Sequence, residues 1–140
     1  MTTLDYIIDE TMKWIVITGD ADGLDRFVRA LSSLYDYSLD EQEPKYSSYI
    51  QKIREYDRGE ISVDDLHNVF NSGTNQINFY RHRIKFDVDF MGTKTGKPDQ
   101  AYILFFYPGP VDPEPLKSRN FAKIKEKFQA AYDLYMRPSK

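Results

Sequence analysis

Between Asn78 and Phe90 the chain reads as one strand, alternating with a strict period of two. Tyr80, His82, Ile84, Phe86, Val88 and Phe90 fall on one parity, and Arg81, Arg83, Lys85, Asp87 and Asp89 on the other. Successive side chains of a strand point to opposite faces, so this pattern calls for a strand with one face on a core and the other in water. A strand also needs a partner for its backbone. The next apolar segment, Ala101–Tyr107 (AYILFFY), is apolar on both parities, as expected of a strand inside a sheet with both faces covered. Turn residues fill the intervening MGTKTGKPDQ, which predicts an antiparallel hairpin.

The rest of the chain supplies layers for that sheet. Met12–Thr18 (MKWIVIT) reads as a buried strand ending at Gly19, and the preceding LDYIID fits either a partner strand or a short helix. Leu24, Phe27, Val28, Leu31 and Leu34 recur at helical spacing behind Asp20 or Asp22 as cap. A second helical face holds Tyr46, Tyr49, Ile50 and Ile53, and Gly59 stops it. Ser62 and Asp65 have capping-box spacing ahead of Leu66, Val69 and Phe70. After the proline-rich PGPVDPEP, a stripe of Phe121, Ile124, Phe128, Ala131, Tyr132 and Tyr135 follows a Ser118 or Asn120 cap. The expectation is a single α+β domain over residues 1–140, with an antiparallel sheet and element order β-α-α-α-β-β-α. That order resembles a ferredoxin-like split sandwich with a helical insertion.

Composition narrows the chemistry. No cysteine is present, which excludes disulfides, thiolate metal sites and cysteine nucleophiles and makes a cytoplasmic location the simplest expectation. Trp14–Ile17 and Ala101–Tyr107 are the longest apolar runs, far short of the roughly 20 residues a membrane helix needs, so no membrane role is expected. The net charge of −3 hides an asymmetry: residues 1–44 carry ten acidic side chains against Lys13, Arg26 and Arg29, whereas the remainder is net basic. Such a chain is expected to be electrically two-sided.

Three segments approach known chemical motifs. In IVITGDADGL, Asp20, Asp22 and Gly23 follow a hydrophobic strand and resemble the Asp-x-Asp-Gly-Thr signature of the haloacid-dehalogenase superfamily, with Leu24 in place of the threonine. The resemblance implies a Mg²⁺-dependent phosphate enzyme. Read from the residues alone, the aspartates cap a helix and favour its positive end. Residues Arg54–Leu66 echo half of a calcium loop, but Arg54, Tyr56 and Arg58 stand where oxygen ligands must be. Gly92–Lys97 (GTKTGK) approaches a phosphate loop, yet its glycines are too close and Pro98 replaces the Ser or Thr of that motif. The two histidines, His67 and His82, have neither the partner spacing of a helical zinc pair nor a triad order. No catalytic, metal or cofactor residue is assigned, and no cofactor is expected.

Two surfaces suit binding. Tyr35, Asp36, Tyr37, Asp40, Glu41 and Glu43 combine rigid aromatic contact area with carboxylates that would steer a basic protein partner. This favours a non-enzymatic inhibitor, immunity or regulatory factor. Phe79, Arg81, Arg83 and Lys85, with Lys94 and Lys97 at the hairpin tip, form the alternative: a basic, aromatic strand face for single-stranded nucleic acid.

Overall fold

The computed structural model describes residues 3–34, 43–71, 75–79, 82–106 and 114–136, the side chains of 78, 79, 82, 114–120 and 136 excepted. The elements run β1 (Leu4–Asp9), β2 (Trp14–Gly19), α1 (Ala21–Leu34), α2 (Glu43–Asp57), α3 (Val63–Asn71), β3 (Gln76–Phe79), β4 (His82–Asp89), β5 (Gln100–Phe106) and α4 (Glu114–Met136). All five strands join one antiparallel sheet in the order β1-β2-β5-β4-β3. The class is therefore α+β with an antiparallel sheet, as expected.

The order differs in detail. LDYIID is a strand, paired with β2 from Leu4 opposite Gly19 to Asp9 opposite Trp14. The stretch read as one strand from Asn78 to Phe90 is two strands, with Phe79 paired to His82. Ile77 stands opposite Ile84 and both are buried in the same core, so the core-facing parity is odd in β3 and even in β4; the unbroken alternation in the sequence does not display that change of phase. Met12 and Lys13 belong to the β1–β2 turn, where Lys13 takes a φ of 60°. The last helix begins at Glu114, ahead of Ser118 and Asn120. With two further strands in the element order, the ferredoxin-like likeness does not extend to the sheet.

Burial follows the alternation. Ile15 and Ile17 of β2, Ile84 and Phe86 of β4 and Ile103 and Phe105 of β5 lie on one face, in a core completed by Leu24, Phe27 and Leu31 of α1, Tyr46 and Ile53 of α2, Leu66 and Phe70 of α3 and Phe121, Ile124 and Phe128 of α4. The described helices thus all pack on this face. The opposite face holds a smaller buried cluster of Val16, Tyr102 and Leu104, with Trp14 and Phe106 against it. As expected of AYILFFY, β5 is central and buried on both faces.

Local signals end the helices where they should. Ser62 Oγ accepts from the Asp65 N–H at 3.1 Å while Asp65 Oδ2 accepts from the Ser62 N–H at 3.2 Å, a reciprocal box with Asp in place of Glu. At the end of α2, Gly59 has a φ of 74° and the Glu60 N–H closes onto the Glu55 carbonyl at 2.9 Å, which is how a glycine in the left-handed region terminates a helix.

Candidate functional site

Asp20 acts as the α1 cap. Its Oδ1 accepts from the Gly23 N–H at 2.7 Å and the Thr3 N–H at 3.3 Å, and its own N–H donates to Thr3 Oγ1. A second carboxylate, Asp57 at the end of α2, accepts from the Ala21 N–H at 2.7 Å. Both groups meet the positive end of α1. Asp22 instead pairs with Arg54 at 2.9 Å, and the hydrogen bond from Arg54 holds its carboxyl below the usual range. Asp20, Asp22, Arg54, Asp57 and Arg58 line an open cleft of about 220 Å³. Among the described residues, no three His, Asp or Glu side chains converge in a way that could hold a metal ion.

GTKTGK sits at the tip between β4 and β5 and does wrap its backbone around an anion, but the anion is the protein's own. The Asp89 carboxylate accepts from the N–H groups of Thr93, Lys94 and Thr95 at 2.8–3.1 Å, and from the Thr95 hydroxyl at 3.0 Å. Burial opposes the charge of this 6 % exposed side chain, yet the bonds from Thr95, Lys94 and Thr93 outweigh it and hold the carboxyl below the ordinary range. In the calcium-like segment, Arg54 faces Asp22, Tyr56 donates its hydroxyl to the Asp99 carbonyl at 2.8 Å, and Arg58 lies 3.9 Å from Glu60.

Of the acidic and tyrosine-bearing candidates, Tyr35, Asp36, Tyr37, Asp40 and Glu41 lie outside the described residues. Glu43 opens α2, where it accepts from Ser47 Oγ and lies 3.5 Å from Arg29. Beside it the buried Tyr46 donates to Asp25 Oδ1 at 2.7 Å; burial first, and the Asp25 charge second, hold this phenol well above its ordinary range. Of the basic candidates, Arg81 and the side chain of Phe79 lie outside the described residues. Phe79 belongs to β3, so it is not in one strand with Arg83 and Lys85.

The sheet register brings the remaining basic candidates together on the face away from the helices. Arg83 stands opposite Phe106, which stands opposite Trp14; Lys85 stands opposite Leu104, then Val16. Lys94 reaches over the same face, with its Nζ 5.5 Å from the Trp14 ring centre and 5.8 Å from that of Tyr102. Lys97 is exposed at the hairpin tip. Tyr102 is only 2 % exposed and Lys85 Nζ lies 3.7 Å from Asp87, so the rings offer little open surface for bases and one cation is already paired. His67 of α3, a helix on the other side of the sheet, approaches the same strand: its Nδ1 is buried without a hydrogen bond among the described residues, 3.9 Å from Asp87, and its ring meets Phe90 edge-on.

The rows across this face continue through β2 to β1. Trp14 stands opposite Asp9, Val16 opposite Ile7 and Thr18 opposite Asp5. One row thus runs from Arg83 to Asp9 and the next from Lys85 to Ile7, whereas the third begins at Asp87, passes Tyr102 and Thr18, and ends at Asp5 with a carboxylate at each end. Among the described residues six large apolar side chains are exposed, and four of them, Tyr6, Ile7, Ile8 and Met12, lie on β1 and its turn. Glu10 in the same turn pairs with Lys125 at 3.0 Å; Asp9 uses Oδ1 to accept from the Met12 N–H; the Asp5 carboxylate has no hydrogen bond or ion pair among the described residues. Sequence reasoning did not single out β1 as a surface. The available signal was an apolar Tyr-Ile-Ile run between aspartates, with no second apolar segment nearby to cover its outer side.

What fold and surface define is an α+β chain whose sheet carries helices on one face and, on the other, an apolar middle flanked by the charged side chains of β4 and β1. No protein-family model, curated protein or solved structure matches it.

Proposed function

We propose that this protein is a non-enzymatic binding factor, an inhibitor, immunity or regulatory protein, that recognises a basic protein partner through an acidic and apolar surface. The observation that carries the reading is the concentration of exposed Tyr6, Ile7, Ile8 and Met12 along β1 and its turn, the same stretch that carries the carboxylates Asp5, Asp9 and Glu10. Contiguous exposed apolar side chains rimmed by charge mark interaction sites, and carboxylates at the rim steer a basic partner and reject an acidic one. The segment from Tyr35 to Glu41 extends the same acidic third of the sequence.

Affinity capture from the native host tests the reading, with nuclease present and with Asp5→Lys/Asp9→Lys in parallel. The expected result is a basic protein retained by the wild type, lost by the reversed variant and indifferent to nuclease. Its association rate should fall as salt rises, because the steering charges are screened beyond about 10 Å at 0.1 M ionic strength. Bound material that disappears with nuclease, or that the reversed variant retains equally, would overturn it.

A further inference from the structure

β1 is the last strand of the sheet, so the N–H and C=O groups on its outer edge have no strand partner among the described residues. Its six residues, LDYIID, contain no proline, and the β1–β2 register runs from Leu4 to Asp9 without a bulge. Natural edges of this length are commonly blunted by lysine, proline, bulges or a covering element. Here the only guard within the strand is the pair Asp5 and Asp9, four residues apart and therefore on the same face. Between them stands Ile7, 46 % exposed; on the other face stand Tyr6 and Ile8, 38 % and 36 % exposed, with Tyr6 edge-on to Phe128 and Tyr132 of α4.

This arrangement selects an occupant. In a continuous sheet, residues directly opposite share a face, so a second copy pairing β1 antiparallel about Ile7 would set Asp5 against Asp9 twice. In-register parallel pairing would set each aspartate beside its own copy. Like charges directly opposite destabilise a pair of strands. The other edge, β3, offers no remedy, since QINF has no cation to meet Asp5 and Asp9. A strand with Lys or Arg at two positions four residues apart, and three apolar residues between them, would satisfy every row at once. Its cations would meet Asp5 and Asp9, its central residue would meet Ile7, and its other two apolar residues would extend the Tyr6 and Ile8 face beside α4.

Resting on the binding role proposed above, we infer that β1 receives its partner by strand addition, and that the partner supplies an extended segment of the pattern basic, three apolar, basic. Main-chain hydrogen bonds would supply affinity and the alternate side chains specificity.

The test uses the full chain and a capped peptide, TKIVIKT, followed by fluorescence anisotropy at low salt. The expected result is saturable binding that weakens with salt, disappears with Asp5→Lys/Asp9→Lys, and returns for that variant with the charge-swapped peptide TEIVIET. The same TKIVIKT peptide N-methylated at its three apolar residues keeps every side chain but loses N–H donors from both strand edges; it should bind at least tenfold more weakly. Equal binding of the N-methylated peptide would overturn strand addition while leaving the acidic-surface reading intact. Binding that is absent, or unchanged by the charge reversal, would overturn the inference, and the capture experiment then decides the broader reading separately. A wild-type dimer at neutral pH that TKIVIKT fails to dissociate would assign the edge to a second copy and overturn it as well.

Discussion

Gly23 shows how much one hydrogen atom can decide. A Cβ built there would stand 1.9 Å from the Thr3 carbonyl oxygen, and one at Gly19 would stand 2.4 Å from the same atom. Backbone cannot yield as a flexible side chain can, so the two glycines let the N-terminal end of β1 pass over the start of α1, where Thr3 and Asp20 exchange hydrogen bonds. Gly23→Ala should lower stability by about 1–3 kcal/mol through overpacking, read as a lower urea midpoint with an unchanged slope; wild-type stability in the variant would refute the contact. Asp20 was legible as a helix cap because a cap acts within three positions, whereas Asp22, the other candidate, pairs with Arg54 instead. Nothing in the sequence links Asp57 to Ala21, which meet across 36 positions. Their encounter depends on how α2 lies against α1.

Among the elements, the β4–β5 hairpin gives the clearest pH signature. Asp89 was assigned by parity to the strand's solvent side, and it is instead the 6 % exposed hub of the turn, because a nest of backbone N–H groups outcompetes water for a carboxylate. Its carboxyl is held below the ordinary Asp range in the fold, so the unfolded chain binds that proton more readily. The stabilisation is therefore complete above the unfolded value of about 3.9 and is lost as pH falls through the folded one. Asp89→Asn should cost about 1–3 kcal/mol at pH 7. The gap to wild type should close as urea titrations move from pH 5 towards pH 2, and a gap that stays constant would show that the charge is irrelevant. β1 teaches the complementary lesson. LDYIID left strand and helix open because six residues are too few for periodicity to separate them, and only pairing with β2 settled it.

For the molecule as a whole, stability converges on β5, which pairs with β2 on one side and β4 on the other. Phe105 is fully buried in the core shared with the helices. Phe105→Ala should cost about 3–5 kcal/mol, a large part of the roughly 5–15 kcal/mol available to a domain, and thermal unfolding followed by circular dichroism should lose height and sharpness. A small shift in midpoint would mean that the central strand is not the keystone described. No described helix is long and apolar enough to cross a membrane. The acidic character of the first third of the sequence appears, on the face away from the helices, as Asp5 and Asp9 of β1, across an apolar middle from Arg83, Lys85 and Asp87 of β4. Period, capping residues and composition were enough to establish the α+β class, the antiparallel hairpin, the core faces of the helices and the acidic character of the first third. Those signals are local, and each is carried by neighbours in the chain. Which strand lies at the edge, which carboxylates are consumed by arginines, caps and nests, and which apolar residues stay uncovered depend on contacts between residues far apart in sequence. For that reason the exposed edge of β1, on which the proposed recognition rests, became visible only in the folded arrangement.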